Sequence, residues 1–377
     1  MAVPQQADLG SLLLQRLAAI PCLVGAQGCA LLNHPSHGNL GDHLIWIAQL
    51  HALEQILRIP VRYVASPDSY CPRALERSIG DGPIVLSGGG QLGDAWPQLE
   101  TFIERVVNGH RCRSVVILSQ SVHFQKPETL ARAATVLQGH PDLTLVLRDR
   151  SSFDLAQRLF SGCRLLLAPD LAFCLPMEVL CLNGPSARFP QHPWLALHRG
   201  DRERPASGWL GALDASPQPV ECCDWLPLER GWIWGDRRLP CSRVAATGVR
   251  ELFQRRLLHP TTALMRHRWL GRLPLEWQRR ARASSLHRLS LGMVHLAVHQ
   301  LAGRQLVITD RLHAVILASL MGIPSLALDN RTGKVHSYLR TWGAWMPQSQ
   351  AIAAEDLPQR LRQIAHHGPS APVSPTT

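Results

Sequence analysis

From Cys29 onward, short apolar runs alternate with stretches whose apolar positions recur at helical spacing. In order they are CALLN, GDHLIWIAQLHALEQILR, VRYVA, PIVLS, LETFIERVVNG, SVVILSQ, LTLVLRD, SSFDLAQRLFSG and RLLLAPD. Strands alternating with helices predict a parallel sheet covered on both faces. The residues that follow the apolar runs are polar or glycine: Asn33, Ser87 and Gly88, Ser119 and Gln120, Arg148 and Asp149, and Asp170. Ligands of open α/β sheets bind beyond the carboxyl ends of the strands, so these residues are predicted to converge on one crevice.

A Pro- and Gly-rich break, CLPMEVLCLNGPSARFPQHP, interrupts this pattern, and WLALHRGD opens a second unit. The linker is placed near residues 176 to 193, dividing the chain into an N-terminal unit, 1–185, and a C-terminal unit, 186–377. The second unit closes with LVITDRLHAVILASLMGIPSLALDNRTGK, Leu306 to Lys334. That stretch predicts a buried strand, a polar corner, an amphipathic helix, a Gly-Ile-Pro turn and a second strand. Thr309 or Asp310 is the predicted cap of this helix, with Arg311 and His313 in its first turn. A further helical stretch, EDLPQRLRQIAHHG, follows. Residues 224–282 form a segment loaded with Trp and Arg and poor in clean periodicity, and the tail HGPSAPVSPTT is predicted to be frayed.

At 377 residues the chain exceeds one comfortable core, which supports two domains of ordinary size. Hydrophobic residues at 46% and charged residues at 18% describe a folded globular protein. A formal net charge of +11 changes the picture more, because it calls for an anionic partner: a phosphorylated small molecule, an acidic membrane surface or nucleic acid. Nucleic acid is set aside, since the sequence lacks a helix-turn-helix pattern, RNP motifs or zinc-ligand spacing. Ten cysteines without a CxxC pair predict neither a disulfide framework nor a metal site, and fit a reducing cytoplasm. No apolar run reaches the roughly 18 residues a membrane span needs. The early stretch LGSLLLQRLAAIPCLVGAQG contains Gln15 and Arg16 and has no basic start, so it does not read as a signal peptide.

Three polar corners carry the candidate chemistry. HPSHGNLGDHLIW, His34 to Trp46, leads from the first strand into a helix predicted to begin near Asp42; Asn39, Gly38 and Gly41 bring backbone N–H groups toward an anion or a hydroxyl-rich ligand. SGGGQLGDAWP repeats the device, and its glycines Gly88, Gly89 and Gly90 are expected to line a ligand or a domain interface. Arg148, at a strand end, can clamp a carboxylate or phosphate bidentately or pair with Asp149 or Asp170. In the third corner, His313 stands at the positive end of a helix dipole beside Arg311, with Lys334 after the next strand. A histidine there is poised to be charged only when an anion is bound, which suits a general acid.

These pieces occur in an order that resembles the polysaccharide pyruvyl transferase family: GNLGDHLI, SGGGQLGD, SQS, LRDRSS, PDLAF, and TDRLHAVILASLMGIPSLALDN with GK behind it. The resemblance spans most of Asn33 to Gly343, with departures at Val122, His123 and Leu171. It implies an α/β protein of two Rossmann-like domains facing across a cleft, as in GT-B glycosyltransferases. It implies phosphoenolpyruvate as donor, a sugar with two suitably placed hydroxyls as acceptor, a cyclic pyruvate ketal as product, and no metal or other cofactor. The family's donor-holding arginine and Arg-Leu-His set match Arg148, Arg311, Leu312 and His313, and its downstream lysine matches Lys334. On this basis His313 is the expected proton donor, Asp42 and Asp170 are both candidates for the base, and Asn39, Gly88, Gly89, Gly90 and Gln120 are expected to contact substrate. An acceptor carried on a lipid would place the protein in the cytoplasm, peripherally on the anionic inner face of the plasma membrane. Arginines interleaved with tryptophans between Val249 and Arg288 would touch headgroups there.

Two other classes share part of this pattern. A GT-B glycosyltransferase using a nucleotide sugar would share the sheets, the glycines and a basic cleft. A non-enzymatic protein binding an acidic polymer would share only the charge. Stabilisation by phosphoenolpyruvate but not by nucleotide sugars separates the first reading from both.

Overall fold

The computed structural model describes residues 6–180, 194–205, 208–225 and 275–367, with the side chains of 6–8, 275–285 and 367 left out. Two all-parallel sheets organise it. The first contains β1 (Cys29–Leu32), β2 (Val61–Ala65), β3 (Ile84–Leu86), β4 (Gly89–Gly93), β5 (Val115–His123), β6 (Leu143–Leu147) and β7 (Arg164–Leu167). Its order is β2-β1-β3-β5-β6-β7, with β4 on β5. The second contains β8 (Trp194–Leu197), β9 (Val220–Cys223), β10 (Leu306–Thr309), β11 (Ser325–Ala327) and β12 (Ser349–Ala351), in the order β12-β11-β10-β8-β9. In each sheet the strand order reverses between its first and third strands in sequence, β1/β3 and β8/β10. Such switch points are where doubly wound folds open a crevice at their carboxyl ends.

The predicted strands of the first half all form; the Val, Leu and Ile residues of β1, β3, β5 and β6 are buried on both faces, while the edge strands β2 and β7 are only partly buried. The glycine run, expected to line a ligand or a domain interface, does so as a strand: Gly89 to Gly93 continue β3 after a break at Ser87 and Gly88, and pair with the second half of β5, Gly89 opposite Gln120 and Gly93 opposite His123. The long β5 thus receives β3 on its first half and β4 on its second.

The first-half helices are α1 (Gln6–Ala18), α2 (Leu40–Leu50), α3 (Pro72–Ile79), α4 (Pro97–Gly109), α5 (Pro127–Gln138), α6 (Arg150–Leu159) and the short α7 (Met177–Leu180). Those of the second are α8 (Leu275–Leu301), α9 (Leu312–Leu320), α10 (Lys334–Trp342) and α11 (Leu357–His367). α2 starts at Leu40 with Asn39 as its cap, and Asp42 lies inside the first turn instead of capping it. Likewise α9 starts at Leu312 with Arg311 in the cap position; Thr309 contributes by accepting the Arg311 N–H at its hydroxyl, 3.0 Å. α9 is not amphipathic. Every residue from Leu312 to Ser319 is buried, because α9 packs between its own sheet and the first unit. A single apolar core therefore joins Leu44, Trp46 and Phe173 to Val294, Leu301, Val315 and Leu317, while separate clusters cover the outer faces of the two sheets. Truncating a buried leucine in that shared core, such as Leu317→Ala, would cost about 2–5 kcal/mol.

The expected boundary at 185/186 lies outside the described residues, as do residues 226–274 of the Trp/Arg-rich segment. That segment begins with Asp224 and Trp225, both buried, so its first residues belong to the core.

Candidate active site

Arg148 leaves the carboxyl end of β6, an interior strand, and its side chain is fully buried. Its Nε donates to the Ser121 hydroxyl at 2.8 Å and its Nη1 to Asp170 Oδ2 at 2.8 Å. The same Nη1 lies 3.3 Å from His313 Nε2, which is itself 3.4 Å from Asp170 Oδ2. Of the two pairings open to Arg148, the structure selects Asp170; Asp149 instead caps α6 through the Ser152 N–H. The remaining nitrogen, Nη2, is buried and has no hydrogen-bond partner among the described residues.

Asp170 also accepts the Ala172 N–H at 2.9 Å, capping a short 3₁₀ turn. Burial by itself would raise its carboxyl. His313 and then Arg148 outweigh that effect and hold it well below the usual carboxylate range. A carboxylate so placed is a fixed counterion that orients His313 and Arg148; it has little affinity for a proton. Asp42 is differently situated. It accepts the Asn39 side-chain amide at 2.9 Å, stands 3.4 Å from His37 Nε2 and retains 16% side-chain exposure. Its Oδ1 faces Gly89, where an added Cβ would lie 3.7 Å away.

The glycines bring the two units together. A Cβ on Gly41 would collide with the His313 ring, so the start of α2 can approach the start of α9 only as glycine. A Cβ on Gly90 would lie 3.0 Å from Lys334 Nζ and 3.4 Å from Arg148 Nη2. Two cationic nitrogens from different sheets thus converge above one glycine Cα. Gly88 backs against the carbonyls of Leu118 and Ser119, 3.1 Å from each by the same measure. A cavity of ≈190 Å³ opens beside Gly90 and Lys334, with Ser121, His123, Asp149 and Arg340 in its walls.

Other expected residues are placed less openly. The Gln120 amide donates to the Ser87 carbonyl at 3.0 Å and accepts the Gln91 N–H at 3.1 Å, so its hydrogen bonds are spent on the backbone of the glycine strand. Leu312 is packed in the shared core. Arg311 does not face Gly90: its Nε donates to Asp224 Oδ1 at 2.8 Å, its Nη2 contacts the same oxygen, and Asp201 Oδ2 lies 4.0 Å away.

Sequence reading missed a buried acidic set that answers these cations. Arg199, at the end of β8, pairs with Asp201 at 2.7 Å and with Glu203 at 2.9 Å. Glu203 pairs in turn with Lys334. The rule that found Asn33 and Arg148, polar residues just past a strand, would also have found Arg199 after WLAL. Asp224, directly after β9, obeys the same rule, whereas Glu203 arrives from a loop and could not have been found by it. Burial lowers the Lys334 ammonium, Glu203 partly restores it, and the neighbouring Arg199 and Arg148 lower it again, giving a value of about 8.

This geometry lies where two stretches of the chain match a known family. Residues 39–197 and 295–332 match the sequence profile described as Polysaccharide pyruvyl transferase. The chain belongs to the polysaccharide pyruvyl transferase family. Among its relatives, Pyruvyl transferase 1 of Schizosaccharomyces pombe is 27% identical over 332 residues, covering 84% of this chain and 70% of the relative. Putative pyruvyl transferase EpsO of Bacillus subtilis is 27% identical over 334 residues, covering 87% and 91%. A crystal structure of an uncharacterized protein from Klebsiella pneumoniae superposes with a TM-score of 0.54 at 14% identity, over 90% of this chain and 98% of that one, which bears on the fold alone. The family stretches include Asn39, Asp42, the glycine strand, Arg148, Asp170 and Arg311 to His313. Arg199, Glu203 and Lys334 lie outside them.

Proposed function

We propose that this pyruvyl transferase moves the pyruvyl group of phosphoenolpyruvate onto two hydroxyls of a sugar in a bacterial exopolysaccharide or cell-surface repeat, and releases phosphate. The observation that carries this reading is the convergence of Arg148 Nη2 and Lys334 Nζ above Gly90, with His313 at the other edge of the same guanidinium. The donor bears a carboxylate and a phosphate, and an unpaired buried guanidinium nitrogen beside an ammonium suits one of these oxyanions. His313 donates a proton to the enol methylene, turning it into a methyl and leaving an oxocarbenium-like carbon. One sugar hydroxyl attacks that carbon and passes its proton to a base; the second attacks as the C–O bond to phosphate breaks, its proton leaves with the phosphate, and the ketal closes. Asp42 suits the base better than Asp170, because it is accessible and is not locked between two cations.

In this proposal the two sheets are the cores of two Rossmann-like domains facing across a GT-B-like cleft, with the reaction at their facing switch points. The acceptor is lipid-linked, and the net charge of +11 favours a peripheral position on an anionic inner membrane. No helix among the described residues is long and apolar enough to cross a membrane. Phosphate release from phosphoenolpyruvate, measured with a panel of lipid-linked and nitrophenyl hexosides, tests the reading. Acceptor-dependent release and a pyruvylated product are expected, and release from nucleotide sugars instead would overturn it.

A further inference from the structure

Glu203 is buried to 2% exposure on the loop after β8, and all of its hydrogen-bonding capacity is spent. One carboxylate oxygen accepts from Arg199 Nη1 at 2.9 Å, from the Asn330 amide at 3.0 Å and from Lys334 Nζ. The other accepts the indole N–H of Trp96 at 3.0 Å, and Trp96 belongs to the first unit, between β4 and α4. The backbone is pinned too: the Glu203 N–H donates to Asp201 Oδ1 at 3.0 Å and its carbonyl accepts the Arg331 N–H at 3.1 Å. Glu203 therefore cannot swing into the cavity whose wall it forms. It is a fixed charge that ties the lysine of one unit to the glycine strand of the other.

We propose that Glu203 is the positioning residue of the donor site: it keeps Lys334 charged, aims it at Gly90, and through Trp96 makes this aim depend on docking of the two units. The inference rests on the pyruvyl-transfer reading. The charged groups around Lys334 are Glu203, Arg199 and Arg148, with Asp149 and Arg340 in the same cavity wall. Among them Glu203 is the carboxylate in hydrogen-bond contact, so removing its charge leaves the ammonium buried and facing two arginines. Deprotonation of Lys334 then occurs at lower pH.

The test is the pH profile of kcat/KM for phosphoenolpyruvate in wild type, E203Q and W96F. Wild type is expected to lose donor capture above about pH 8, following Lys334. E203Q is expected to raise KM for phosphoenolpyruvate roughly ten- to a hundredfold, and to move the alkaline limb to lower pH by about one unit or more. W96F keeps the Glu203–Lys334 pair, so its limb should stay in place while KM rises a few-fold. A purely structural Glu203 would lower the melting temperature and the active fraction without moving the limb, and an unmoved limb in E203Q overturns the proposal. If E203Q does not fold, E203D carries the same test, because shortening the side chain withdraws the carboxylate from Lys334. Wild type that phosphoenolpyruvate fails to stabilise against heat would count against the function itself, whereas stabilised wild type with an unmoved E203Q limb counts against Glu203 alone.

Discussion

At the scale of single residues, His313, Asp170 and Asp42 can be told apart by what each touches. His313 Nε2 stands between Arg148 and Asp170, so its ring is oriented before any ligand arrives. His313→Gln should preserve folding and most donor affinity but lower kcat by about 10²–10⁴, the usual contribution of a general acid. A kcat within a few-fold of wild type would remove it from the mechanism. The two aspartates should separate cleanly. Asp170→Asn leaves the Arg148 guanidinium buried without its counterion, a change of the kind that costs about 3–5 kcal/mol, so its main effect should be a lower melting temperature. Asp42→Asn leaves no buried charge stranded, and should lower kcat while leaving the melting temperature close to wild type. The opposite pattern in the two variants would exchange their roles.

At the scale of elements, the glycine strand β4 is held by a group that titrates near neutrality. Glu100, in the first turn of α4, accepts the Gly93 N–H at 2.8 Å through one oxygen, while the other is buried without a partner among the described residues. Burial raises its carboxyl from the ordinary 4.5 to about 7, opposed by the Gly93 N–H and then by Arg132, with Glu104 and Asp94 adding to the shift. Between pH 4.5 and 7 the folded protein holds a proton that the unfolded chain has lost, so this group's stabilisation is complete below 4.5 and gone once pH passes about 7. Glu100→Gln mimics the protonated form. Its melting temperature should match wild type at pH 5 and exceed it at pH 8, and a mutant less stable at both would show that the charged form is the preferred one. Glu100 also shows where sequence reading stops. The alternation of strands and helices, the strand-end rule and the corner at Arg311 to His313 were legible because each depends on neighbours in the chain. The strand conformation of the glycine run was not legible because its partner is the far half of β5, and α9 was misread as amphipathic because its outer face is covered by α2, more than two hundred residues earlier. Glu203 and Glu100 matter through contacts that no local pattern announces.

At the scale of the whole molecule, the two sheets are joined by more than shared apolar surface. Helix α8 belongs to the second half of the sequence but lies on α2, and Ser290 is buried there between two histidines, its hydroxyl 2.9 Å from His34 Nε2 and 2.9 Å from His43 Nδ1. The proton positions follow from the partners. His43 Nε2 lies 2.8 Å from the His37 carbonyl, which can only accept, so that nitrogen carries the proton and Nδ1 accepts from Ser290. The Ser290 oxygen then accepts from His34 Nε2, which also faces the Leu286 carbonyl at 3.2 Å. Burial lowers His34 to about 3 and His43 to about 4, so both rings are neutral and the chain of bonds is complete at ordinary pH. The sign is opposite to that of Glu100: the unfolded chain takes up protons as pH falls through 6.5 while the folded protein refuses them down to about 4, so this joint is at full strength above 6.5 and weakens steadily below it. Ser290→Ala removes the acceptor of one ring and the donor of the other, and should destabilise the protein by about 1–3 kcal/mol at pH 7, the cost of stranding buried polar groups. Because the same joint holds α2, which carries Asn39, Gly41 and Asp42, the loss should reach the site. Hydrogen exchange should show α8 and the first turn of α2 losing protection together in Ser290→Ala, and in wild type as pH falls from 6.5 toward 4, while the interior strands β3, β5 and β6 stay protected. Loss of protection in α8 alone would mean that the helix is a cover on the first sheet and not the joint that sets the spacing of the proposed catalytic groups.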